Sequence, residues 1–140
     1  MCDSSVPGRP EGRLDDETMD WLHATLGAAP DIPTIVAFHH PPVALHSPFV
    51  DAIRLQNPGQ LSELLDKSPQ VVAVMCGHAH TAGVSTFAGR PLVVAPGVVS
   101  TLRFPWESDL DVDLDMPPAI AFHVLDDAGR LTTHFRTVPA

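Results

Sequence analysis

The chain has 140 residues, with eight Lys or Arg against seventeen Asp or Glu and a formal charge of −9, and it has no basic cluster that could track a nucleic-acid backbone or an anionic membrane surface. A 44% hydrophobic and 18% charged composition suits one globular domain, while fifteen prolines favour loops over long helices. No apolar run reaches the roughly eighteen residues of a membrane span, and the opening MCDSSVPGRP lacks the basic start and apolar core of a secretory signal, so a cytoplasmic location is expected.

The first predicted element is a helix over DDETMDWLHATLG. Asp15, Asp16 and Glu17 suit its positive end, Met19, Leu22 and Leu26 share one face, and Gly27 is expected to end it. TIVAF, residues 34–38, reads as a short β-branched strand between Pro33 and HHPP. A second helix is expected in NPGQLSELLDK, with Asn57 as cap, Pro58 in the first turn and Leu61, Leu64 and Leu65 facing the core. VVAVMC, residues 71–76, is a continuous apolar strand in which Cys76 reads as a small buried hydrophobe. VSTF and LVVA follow as two short strands, and AIAFHVL and LTTHFRTV flank DDAG as a hairpin with Gly129 placed for positive φ. The order is mixed α/β first and antiparallel β last.

Two imidazole clusters each follow the C-terminal end of an apolar strand, which is where open α/β sheets place their ligands. His39 and His40 precede the stiff Pro41–Pro42 pair, and His78 and His80 follow Gly77, which is expected to let the backbone turn sharply. Imidazole keeps a neutral nitrogen lone pair near neutral pH, so paired clusters of this kind suit a metal centre.

VAFHHPP at residues 36–42 and VMCGHAH at residues 74–80 resemble the second half of the calcineurin-like metallophosphoesterases. The opening CDSSVPGRPEGRL and the later FAGRPLVVAPG make the chain most similar to the bacterial class III cyclic-nucleotide phosphodiesterases. The resemblance implies an α/β fold, half of a metallophosphoesterase α/β/β/α sandwich, with a mixed sheet and a C-terminal antiparallel hairpin. It implies divalent metal ions, Mn, Fe or Zn, as cofactors. His39 and His78 would ligate one metal and His80 the other, while His40 would touch substrate or support the ligands from behind. The implied reaction is phosphodiester hydrolysis by a metal-bound hydroxide, with two metals roughly 3.5–4 Å apart clamping the attacking and leaving oxygens.

The family's D-x-H, G-D-x-x-D and G-N-H-[DE] motifs do not occur, so residues 1–140 are expected to form a single incomplete domain, its C-terminal half. Three imidazoles cannot complete two sites of about four ligands each. The isolated chain is expected to bind at most one metal, weakly, and to be inactive unless a complementary N-terminal half or a second copy completes it. Two alternatives stand beside that reading: a non-enzymatic remnant or interaction module with a vestigial histidine cluster, or the same superfamily acting on phosphomonoesters or other nucleotides.

Among the other features, SDLDVDLDMPP reads as a solvated edge or loop, with RFPWESD a candidate specificity segment. Arg90 reads as a turn residue, and Trp21 and Trp106 as packing groups.

Overall fold

The computed structural model describes residues 1–139. Asp15 caps α1 (Asp16–Ala28) by accepting a hydrogen bond from the Thr18 backbone N–H at 2.8 Å, with Asp16 and Glu17 in the first turn. Leu22 and Leu26 are buried, and Met19 packs against the same cluster. The helix passes through Gly27 and stops at Ala29, which precedes Pro30 and has left helical geometry at φ −139°, ψ 62°; proline disfavours the helical region in the residue before it.

β1 (Thr34–Ala37) is followed by α2 (Pro48–Ala52), a short helix that the proline-rich sequence does not announce. α3 (Pro58–Asp66) starts where expected, after Asn57. The Asn57 side chain does not cap it, however. It accepts from the Leu14 N–H at 3.1 Å and donates to the Leu14 carbonyl at 2.6 Å, tying the N-terminal segment to the head of α3.

β2 (Val71–Cys76), β3 (Gly83–Phe87) and β4 (Arg90–Val94) complete a four-stranded sheet of order β1-β2-β4-β3. β1, β2 and β4 are mutually parallel, and β3 returns antiparallel to β4. β2 is central, which is why its sequence is continuously apolar instead of alternating. Leu22, Leu26, Leu61 and Leu65 of the helices cover one face of the sheet, against Val36, Val74, Cys76 and Leu92. Burial pushes the Cys76 thiol up to about 12, in keeping with an inert core group.

β5 (Thr101–Leu102) and β6 (Val112–Asp113) form a small antiparallel pair. Asp109, Asp111 and Asp115 are exposed, but Asp113 accepts from the Asp115 N–H and from the Arg103 guanidinium, which together keep its carboxyl below the usual range. Trp106 packs at the surface: it is exposed and stacks on Phe104 with ring centroids 4.6 Å apart. β7 (Ala119–Leu125) and β8 (Leu131–Thr137) form the expected hairpin, with Gly129 at φ +74° in its turn. Ile120, Phe122 and Val124 alternate along one face of β7 and stay 47%, 58% and 44% exposed. Among the described residues no helix is long and apolar enough to cross a membrane.

Candidate metal centre

The parallel pairing of β1 and β2 brings the two histidine loops together. Ala37 is opposite Met75 at the end of the ladder, and the bonding continues beyond it: the Phe38 N–H donates to the Met75 carbonyl at 3.1 Å and the Gly77 N–H to the His39 carbonyl at 3.0 Å. His39 and His78 therefore emerge side by side. Their Nε2 and Nδ1 atoms lie 3.2 Å apart, close to the roughly 3.3 Å that two nitrogens adopt on a tetrahedral cation with bonds of 2.0–2.1 Å.

The sharp turn is made by the histidines and not by Gly77. His78 has φ +63° and His80 φ +47°, while Gly77 is not among the positive-φ residues. The Ala79 N–H donates to the Gly77 carbonyl at 2.7 Å, so His78 sits at the centre of a γ-turn with positive φ, a rare and strained form. Backbone strain in non-glycine residues gathers at functional sites.

The rings are held neutral. His78 is pushed down to about 4 by burial and then by the neighbouring rings of His40, His39 and His80. His40 is lowered by burial and by His39; His39, which keeps an edge in solvent, is lowered by burial of the rest of its ring and by His80. Neutral imidazoles are the form that ligates metal. His78 Nε2 is buried without a hydrogen-bond partner among the described residues; the Ile53 carbonyl favours its protonated form but does not complete a bond. A ring with its proton on Nε2 leaves the Nδ1 lone pair facing His39. Donor chemistry, separation and charge state all fit a divalent ion between these two rings.

His40 turns inward and is 5% exposed. Its Nδ1 lies 2.9 Å from Ser4 Oγ, which also accepts from the His39 and His40 backbone N–H groups at 3.2 and 3.3 Å. Gly12 makes room for the ring: a Cβ there would stand 2.3 Å from His40 Cγ. Among the described residues, His39, His40 and His78 form the cluster whose donor atoms lie within 4.8 Å of one another. His80 stands outside it, with Nδ1 2.7 Å from Ser100 Oγ, at the edge of a cavity of about 290 Å³ that Thr81, Leu102, Arg103, Glu107 and Met116 help to line.

The sequence reading thus named all four histidines of this region but neither Ser4 nor Ser100. Ser4 lies 36 residues from His40 and Ser100 lies 20 from His80, and no motif spacing links such pairs. Each was legible only as a small polar residue in a loop.

Imidazoles gathered at the C-terminal ends of neighbouring parallel strands, on this helix-backed mixed sheet, make up a site with metal-ligand chemistry. The comparisons place it further. It is 34% identical over 124 residues to glycerophosphodiester phosphodiesterase GpdQ of Enterobacter lignolyticus, covering 88% of this chain and 44% of that protein. It is 33% identical over 133 residues to the 3',5'-cyclic adenosine monophosphate phosphodiesterase CpdA of Pseudomonas aeruginosa, covering 95% and 48%. A dimetal phosphatase from Danio rerio shares the fold, with TM-score 0.58 at 19% identity over 90% of this chain and 36% of that one. No family model matches. The chain spans about half the length of the curated relatives it matches. It is homologous to the C-terminal part of bacterial cyclic-nucleotide and glycerophosphodiester phosphodiesterases and has the calcineurin-like metallophosphoesterase fold.

Proposed function

We propose that residues 1–140 carry the histidine half of a two-cation centre that hydrolyses small phosphodiesters, cyclic nucleotides among them. In this reading His39 and His78 hold one divalent ion, Mn, Fe or Zn, His80 holds the second, and His40 braces the pair from behind through Ser4. The 3.2 Å approach of His39 Nε2 to His78 Nδ1 carries the proposal. Ions bound there would supply charge neutralisation at the phosphoester oxygens and acidify water. The chain's own contribution is to present neutral nitrogens at a fixed spacing and to offer space beside His80. That cavity, near the lower limit of about 300 Å³ for ligand pockets, suits a small leaving group, and Arg103 on its wall is already neutralised by Asp113. The relatives' names divide between cyclic nucleotides and glycerophosphodiesters; a glycerophosphodiester releases a separate alcohol of this kind, whereas a cyclic nucleotide opens its ring and keeps the leaving oxygen on the product.

Two cations of about four ligands each need donors beyond these rings. We propose that carboxylates come from a complementary half that this sequence does not span or from a second copy of this chain. A cytoplasmic setting fits the free, buried Cys2 and Cys76. Isothermal titration with Mn²⁺ and Zn²⁺ tests the reading: one weak site per chain is expected, together with no turnover of bis(p-nitrophenyl) phosphate. Two tight sites, or no binding by either ion, would overturn it.

A further inference from the structure

We propose that Ser100 is the positioning residue for His80, holding Nδ1 of the ring so that Nε2 is the nitrogen left to ligate. The inference rests on the assignment of His80 to the second cation. An imidazole has two nitrogens, and the partner of one decides what the other can do. His80 Nδ1 has its partner in Ser100 Oγ at 2.7 Å. With the proton on Nδ1 and the hydroxyl oxygen accepting it, the lone pair is on Nε2.

A second contact fixes the same residue independently. Gly97 has no space for a side chain, since a Cβ there would stand 1.9 Å from the Ser100 carbonyl oxygen and 2.9 Å from His80 Cβ. The 97–100 turn is thus folded directly onto His80. The loop is itself tied down at both sides: the Ala95 N–H donates to the Cys76 carbonyl at 2.8 Å, at the end of β2, and the Ala119 N–H donates to the Gly97 carbonyl at 3.1 Å, at the start of β7. A left-handed residue such as His80, at φ +47°, persists where its surroundings over-determine it. This braced turn is what does so. Ser100 serves the fourth histidine as Ser4 serves His40, although the two serines lie far apart in the sequence.

The test is ¹⁵N NMR of the histidine rings in the whole chain, with a chelator present, at about pH 8, where free imidazole is neutral. His80 is expected as a single tautomer with Nδ1 protonated. Ser100→Ala should lose that single form and give a mixture like that of a free imidazole, and Ser100→Thr, which keeps the hydroxyl, should restore it. An unchanged His80 tautomer in Ser100→Ala, or an Nε2-protonated ring in the parent chain, overturns the positioning role. Zinc titration of the same three proteins after the chelator is removed reads the metal centre at His39 and His78 separately. The His39 and His78 signals should move in all three proteins, and rings that ignore zinc in every one would sink the metal centre whatever the His80 tautomer.

Discussion

His39 and His78 lie 39 residues apart in sequence and 3.2 Å apart between Nε2 and Nδ1, because the hydrogen bonding of β1 to β2 continues past both strands. Two rings sharing one ion are coupled, and coupled groups are not additive. His39→Ala and His78→Ala should each weaken Zn²⁺ binding by about a hundredfold, at or above the cost of losing an outer-shell partner. The double variant should lose little more than either single one. Calorimetry that finds the two losses multiplying would mean that each ring contributes to binding independently of the other, without the coupling expected of a shared ion.

The γ-turn at position 78 makes a prediction about stability alone. A left-handed residue with a Cβ costs about 1–2 kcal/mol, a cost glycine does not have. His78→Gly and His78→Ala both remove the ring, so the glycine variant should be more stable than the alanine variant by about 1 kcal/mol. Urea denaturation of the two in parallel measures the difference.

Arg90, read from sequence as a turn residue, joins three elements. Its guanidinium donates to the carbonyls of Leu65 and Ser68 at the end of α3, of Val71 at the start of β2 and of Ala88 in the β3–β4 turn. Planar, multidentate donation of this kind is beyond a lysine. Removing it leaves several half-buried carbonyls unpaired, at about 1–3 kcal/mol each when water cannot reach them. Arg90→Ala is expected to cost about 3 kcal/mol and Arg90→Lys about 2; a drop in urea midpoint with unchanged m-value checks this.

Acid should destabilise the metal-free chain through its histidines. His39, His40 and His78 all have lowered values, His78 to about 4, so in the acid range the unfolded chain binds more protons than the folded one. The stability these groups contribute is fully present above the unfolded value, about 6.5, and is lost as the pH falls through their folded values. The urea midpoint in chelator should therefore fall from about pH 6.5 towards pH 4, and His78→Asn should flatten that slope. A midpoint level across this window would contradict the burial described here.

The helices and strands with strong signals were legible. The Asp15 cap, the leucine stripe of α3, the apolar run of β2 and the 126–129 turn each rest on local chemistry that a short stretch of sequence contains. α2 and the β5–β6 pair were not, because five-residue and two-residue elements have no period to detect and exist only through their neighbours. The same contrast holds within the site. The histidines announce themselves at strand ends, but the left-handed backbone at His78 and His80 contradicts the expectation that Gly77 would make the turn. Local preference favours the glycine there; the ladder bond from Gly77 to His39 holds it to the strand path and passes the bend to the next residue. Ser4, Gly12, Gly97 and Ser100 become partners of the histidines only after the chain has folded.

The span between His39 and His78 is inherited from the distance between two neighbouring strands, about 4.8 Å, and is not chosen by the rings. Val36 and Val74, register partners within those strands, stand on the rails of a fixed gauge. Backbone hydrogen bonds fix that gauge, so resizing either valine leaves the imidazoles at the same pitch, and any retuning of the grip has to come from the two loops that lie beyond the ladder.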